Sequence, residues 1–227
     1  SKGKPFINLL PLDEGETITT VMKLPECEDD CKDMSIMFAT SQGNVRRNSL
    51  MDFVNVQSNG KIAMKLDEGD KLINVRICHE DNDIMLAARS GKCIRFPVTD
   101  VRVFVGRNST GVRGIKLAEG DEVISMSILL HSDATSEERD EYARIASAIK
   151  RISAERGDDS CVSPEDTGLL NVLTTEKYKE MAEREQFILS VTSTGYGKRT
   201  SSYEYRVTGR GGQGIANMEM SARNKEI

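Results

Sequence analysis

One pattern recurs along this chain and limits what it can fold into. Met37-Phe-Ala-Thr-Ser-Gln-Gly43-Asn-Val-Arg-Arg47 lines up with Met85-Leu-Ala-Ala-Arg-Ser-Gly91-Lys-Cys-Ile-Arg95, and again with Ile188-Leu-Ser-Val-Thr-Ser-Thr-Gly195-Tyr-Gly-Lys-Arg199. Each copy reads as an apolar strand, a glycine turn and a second strand with a cation four residues after the glycine. Gly43, Gly91 and Gly195 are expected at positive φ, where a Cβ would clash. A second half-repeat follows. Gly60-Lys-Ile-Ala-Met-Lys-Leu-Asp-Glu-Gly-Asp70 matches Gly111-Val-Arg-Gly-Ile-Lys-Leu-Ala-Glu-Gly-Asp121, and Gly211-Gly-Gln-Gly-Ile215 begins a third copy. Gly3 to Ile7 with Asp13 to Glu16 looks like the tail of an earlier repeat. Gly43 and Gly91 lie 48 residues apart, and Gly60 and Gly111 lie 51 apart. A period near this length, made of four short strands, predicts a mainly β fold of propeller-like blades. The alternation Ile62-Ala-Met64-Lys-Leu66 predicts a strand whose apolar side chains pack on the neighbouring blade.

From about Leu129 to Gln186 the repeat stops and helical periodicity replaces it. Thr135 or Ser136 can cap a helix running through Tyr142, Ile145, Ala146, Ile149 and Ile152 to about Arg156. The run from Gly157 to Pro164 reads as a loop, and Thr174 or Thr175 starts a second helix ending near Glu185. The expected organisation is therefore blades over 1–128, an acidic α-helical hairpin inserted over 129–186, and a further blade over 187–227. The insertion is read as a solvated decoration, with a partner-binding arm as the sharper alternative.

Charge supports that division. The chain of 227 residues carries a formal charge of −5, which by itself argues against a polyanionic partner. Between His131 and Gln186, however, 14 acidic residues face 8 basic ones, while the remainder holds 22 acidic and 23 basic residues. The acidity belongs to the insertion.

Several strings resemble a known family. Asn8-Leu-Leu-Pro-Leu12, Phe38-Ala-Thr40, Gly60-Lys-Ile-Ala-Met-Lys-Leu66, Arg107-Asn-Ser-Thr-Gly-Val-Arg-Gly-Ile115, Glu119-Gly-Asp121 and Gly195-Tyr-Gly-Lys-Arg199 look like the C-terminal β-pinwheel domain of the DNA gyrase A protein. The resemblance spans nearly all of the chain outside the insertion and implies about three blades plus part of another. It implies DNA binding and wrapping around a basic rim, so that a bacterial type II topoisomerase introduces negative supercoils. It further implies a parent complex of two A and two B subunits, in the cytoplasm, whose ATP, Mg and catalytic tyrosine act elsewhere. No cofactor is expected in this chain. The family's Gln-Arg-Arg-Gly-Gly-Lys-Gly box belongs to a blade expected before Ser1, and Gly209-Arg-Gly-Gly-Gln-Gly214 reads as an equivalent blade loop. The related domain of topoisomerase IV is the alternative, and a blade-repeat protein-interaction scaffold is the rival of another class.

Binding without sequence readout needs cations spaced along a surface, because counterion release from phosphates supplies the affinity. Arg46 and Arg47, Lys92 and Arg95, and Lys198 and Arg199 recur in one strand of successive repeats, so they are the first candidates for duplex DNA. Arg102, Arg107, Arg113, Arg206 and Arg210 lie in the following connections and extend the track. The bland reading makes strand cations solvated guards against edge pairing, but that role needs no fixed register.

No catalytic or metal site is expected. Asp52, Asp100 and Glu204 recur nine residues after the turn glycines and read as loop-closing acceptors. His79 and His131 have no partners at ligand or triad spacing. The five cysteines, Cys27, Cys31, Cys78, Cys93 and Cys161, lack paired spacing and read as free thiols. No apolar run reaches membrane-spanning length, and the first residues lack a signal-peptide plan, so a cytoplasmic protein is expected.

Overall fold

A computed structural model describes residues 3–5, 8, 10, 12–26, 29–55, 60–156, 162–220 and 227. Phe6, Ile7, Leu9, Cys27, Cys161 and most of the loop expected over 157–164 lie outside the described residues. The chain divides into two compact units, residues 1–128 with 207–227, and residues 129–206.

In the first unit each glycine turn closes an antiparallel hairpin. Strands β1 (Ser35–Thr40) and β2 (Asn44–Ser49) pair with Met37 opposite Arg47, and after β3 (Leu72–Cys78) the strands β4 (Asn82–Ala88) and β5 (Lys92–Pro97) pair with Met85 opposite Arg95. Gly43 and Gly91 each have φ of 84°. A Cβ on Gly43 would lie 2.9 Å from Ile115 Cγ2, and one on Gly91 would lie 2.7 Å from the Met218 carbonyl, so both turns need glycine for space as well as for φ.

The two sheets are not assembled from consecutive strands. The first has the order β3-β1-β2-β6, where β6 is Val112–Arg113, and the second has the order β7-β4-β5-β10, where β7 is Val123–Leu130 and β10 is Ile215–Ala216. Thus each sheet is completed beside its hairpin by a short strand from beyond the next hairpin in sequence. Their inner faces interdigitate: Met37, Ala39 and Val45 of the first pack with Ile84, Leu86, Ile94 and Phe96 of the second. The opposite face of the first sheet, through Ile36, Phe38 and Val75, gathers a second cluster with Cys31 and Leu50. Period-two alternation between two apolar faces is why β1 is buried along its whole length.

The strand expected over Ile62 to Leu66 does not form. Ala63 and Met64 turn towards the second cluster, while Ile62 is 72% exposed. Arginine side chains take the place of a neighbouring strand, because the Ile62 carbonyl accepts from Arg107 at 3.0 Å and the Ala63 carbonyl from Arg46 at 3.5 Å. Once side chains satisfy these carbonyls, extended backbone no longer requires a ladder.

The second unit holds α1 (Ser136–Arg156), α2 (Thr175–Arg184) and the hairpin of β8 (Phe187–Val191) with β9 (Gly197–Ser201). Thr135 and Glu138 form a reciprocal cap on α1, and Thr174 caps α2 through the Lys177 amide. The insertion packs with the third hairpin in the compact unit 129–206, whereas the boundary expected from the repeat lies at 186/187. Tyr203, just past β9, is the reason. Its ring meets Tyr142 edge-on at 5.1 Å, Tyr142 stacks on Tyr178 at 4.9 Å, and the Tyr203 hydroxyl donates to the Met181 carbonyl at 2.8 Å. Glu141, 1% exposed, accepts from the amides of Asn171, Val172 and Leu173 at 2.8 to 3.0 Å. Burial pushes its carboxyl up, but those amides, with Arg144 nearby, outweigh burial and hold it below the ordinary carboxylate range. Among the described residues no helix is long and apolar enough to cross a membrane.

Candidate nucleic-acid interface

The eleven candidate cations separate into two kinds. Arg46, Arg47 and Arg95 are 0%, 4% and 3% exposed, so the expectation that they form an outer basic track is corrected. Most of their donors are spent inside the protein. Arg95 Nε donates to Asp83 at 2.8 Å in a pair with both side chains buried. Arg47 Nε donates to Ser35 Oγ at 2.9 Å, and its other end reaches Glu80 at 2.9 Å and the Val101 carbonyl at 3.5 Å. The repeating arginine thus reaches back 12 residues to the strand beside it, to Ser35 in one hairpin and Asp83 in the next. In the third hairpin the corresponding contact is Arg199 over the ring of Phe187, at 3.5 Å, and there the arginine is exposed. A fixed register is what an intra-sheet clamp requires, and that explains the recurrence better than a line of phosphate contacts does.

Arg46 faces the other way from Arg47 on β2. Its guanidinium donates to the carbonyls of Gly106, Arg107 (2.6 Å) and Ser109 (3.1 Å), and lies 5.6 Å from the Phe104 ring. Burial draws its pKa below the ordinary arginine value, against the pull of Asp52 and with the push of Arg107. Asn48, which no sequence signal singled out, donates to the carbonyls of Phe104 and Gly106, both at 3.0 Å, and to Asp52 at 3.2 Å. Together they fasten the connection that carries Arg102 and Arg107.

The remaining candidates lie outside. On the first unit Lys92, Arg102, Arg113 and Arg210 are exposed and Arg107 is half-buried. Arg210 is held in place by the carbonyls of Asp100 (2.9 Å) and Arg113 (3.0 Å), and its amide meets Asp100 Oδ2 at 3.4 Å. Arg102 lies 4.1 Å from the Phe104 ring centroid. On the second unit Lys198, Arg199 and Arg206 are exposed. Among the described residues, none of these eight side chains is paired with a carboxylate, which leaves their charge available to an anion.

Residues 35–79, 82–129 and 186–226 match the family model described as DNA gyrase C-terminal domain, beta-propeller. The chain belongs to this family. Its sheet hairpins are the family's matched segments, and the stretch between them falls where the helices lie. The chain is 51% identical to the DNA gyrase A protein of Granulibacter bethesdensis over 99% of its own length and 25% of that protein. Against the DNA gyrase A protein of Rickettsia bellii it is 51% identical over 97% of its length and 24% of that protein, and against that of Escherichia coli 31% identical over 99% and 19%. It therefore spans about a quarter or less of the curated relatives it matches. Among solved structures it resembles a DNA gyrase A C-terminal domain, with a TM-score of 0.64 at 20% identity over 100% of this chain and 57% of that one. A DNA topoisomerase IV C-terminal domain gives 0.66 at 18% identity over 99% and 53%, a likeness of fold alone.

Proposed function

We propose that this chain is the DNA-binding and DNA-wrapping part of a bacterial gyrase A protein. Its exposed cations would contact duplex phosphates and direct negative supercoiling by the parent enzyme. The reading rests on cations that have no carboxylate partner among the described residues: the exposed Lys92, Arg102, Arg113 and Arg210 with the half-buried Arg107 on one unit, and the exposed Lys198, Arg199 and Arg206 on the other. Gyrase is favoured over topoisomerase IV because the relatives with high identity bear the name DNA gyrase. The same kinship supports, as part of this proposal, membership of a cytoplasmic complex of two A and two B subunits, with ATP and Mg used outside this chain.

Phosphate contacts without base readout predict affinity that falls steeply with salt and depends little on sequence. Fluorescence anisotropy of a labelled duplex at two ionic strengths tests this. Salt-insensitive or absent binding by the whole chain would overturn the reading.

A further inference from the structure

The connection from Val101 to Ser109 is tied down at several points, and it holds an aliphatic side chain in open solvent. Val101 is fully buried at its root and Phe104 is 7% exposed, packed into the core between the sheets. The Phe104 amide donates to the Arg47 carbonyl at 2.8 Å, and Arg46 and Asn48 engage the carbonyls of Phe104, Gly106, Arg107 and Ser109 from below. Gly106 turns the chain at φ 83°. On this base Val105 is 101% exposed and Val103 43%, with Arg102 and Arg107 on either side.

A single exposed valine is ordinary on a protein surface. Here the backbone beneath it is fixed at several points, so inserting it into a partner forfeits little conformational freedom. The flanking arginines specify a partner with an anionic perimeter and an apolar interior within one side chain's reach. Stacked bases between two phosphate strands have that chemistry, and apolar wedges flanked by cations are one way proteins bend duplexes.

We propose that Val105 is a wedge that enters an opened base step of the bound duplex, while Arg102 and Arg107 hold the adjoining phosphates and Arg46 and Asn48 position the prong. This rests on the DNA-binding reading above and adds a point of bending to it. The wedge lets a modest number of cations hold curved DNA, because part of the bending cost is offset by apolar contact at the kink.

The test uses the whole chain with a duplex carrying 2-aminopurine, whose emission rises on unstacking, and a donor and acceptor at its ends. Binding by the unmodified chain should raise the emission and bring the ends together. Val105→Ser should cut the emission rise by at least about half and weaken binding about tenfold, the worth of one lost aliphatic contact. It should leave the salt dependence unchanged, whereas Val105→Ile should restore the signal. Arg102→Gln should instead lower the slope of log affinity against log salt by about one. Binding without any emission rise, or a Val105→Ser chain that unstacks and bends like its parent, overturns the wedge and leaves DNA binding standing. Absence of salt-sensitive binding by the unmodified chain removes both.

Discussion

The hairpins β4–β5 and β8–β9 carry the same sequence signature and resolve it differently. Arg95 is buried against the carboxylate of Asp83, while Arg199 stands exposed over the ring of Phe187, at the same rung of its own hairpin. The first sheet pair shares an apolar face, so Met85 is 2% exposed, whereas Leu189, its counterpart on β8, is 70% exposed. A side chain's position in a repeat therefore sets whom it can touch, and its surroundings decide whether it is a strut or a free charge. The strut in the buried hairpin must be a matched pair, since an unpartnered buried charge is costly. In the exposed hairpin an aromatic plane suffices.

The largest effect that separates the two hairpins is at the buried pair. Asp83→Ala should destabilise the first unit by about 3–5 kcal/mol, because Arg95 loses its buried carboxylate, and replacing both residues by apolar ones should recover much of that loss. Chemical denaturation of the single and double variants measures it. A cost as small as that of Phe187→Ala would erase the distinction.

The turn glycines give a second contrast. Gly195→Ala should cost roughly 1–2 kcal/mol through its φ of 86° alone, since among the described residues no atom beyond its chain neighbours lies within 4 Å of the new Cβ. Gly43→Ala should cost more, because Ile115 stands 2.9 Å away in addition to the unfavourable φ. Thermal melts of the two variants side by side check the order.

On the helical side Glu141 pins the loop that leads into α2. Its carboxyl is held below the ordinary value of 4.5, so the stability it lends is complete above that pH and is lost as pH falls through its lower folded value. Glu141→Gln should lower the melting temperature of the second unit at neutral pH and remove that acid dependence, leaving the Arg95–Asp83 unit unchanged. Melting curves followed from neutral pH into that acidic window decide it.

The smallest structural effect is expected at the exposed arginine. Arg199→Gln should change stability by less than about 0.5 kcal/mol, as exposed substitutions do, and still reduce DNA affinity in a salt-dependent way. Arg95→Gln should do the opposite, unfolding the protein more easily without a specific loss of salt dependence. Anisotropy together with denaturation separates the two roles.

Hairpins, turn glycines and both helices with their caps were legible in the chain itself, because each depends on neighbours within a few residues. Thr135 and Thr174 sit where a cap must sit, and Gly43 and Gly91 where only glycine can turn. Less legible was the site. The recurrence of cations was visible, but whether Arg46, Arg47 and Arg95 faced water depended on Ser35, Asp83 and the carbonyls of 106–109, which lie 12 to 63 residues away. A companion signal was present in the residue 12 positions before each repeating arginine, which is a serine, an aspartate and a phenylalanine in turn. Asn48 carried no pattern at all, since its role arises from a loop folding over a distant strand.

The repeat, its strand-turn-strand units, the helical interruption and the concentration of acid within it are all written in the order of residues along the chain. These are local consequences of side-chain period, of positive-φ turns and of capping. That β6 and β10 complete sheets whose hairpins precede them in the chain, that the helices anchor Tyr203, and that three of the eleven candidate cations are internal struts emerges from packing alone. The physical reason is the same in each case. Burial, strand exchange and the neutralisation of a charge are properties of what surrounds a residue in space, and a one-dimensional period does not specify those surroundings.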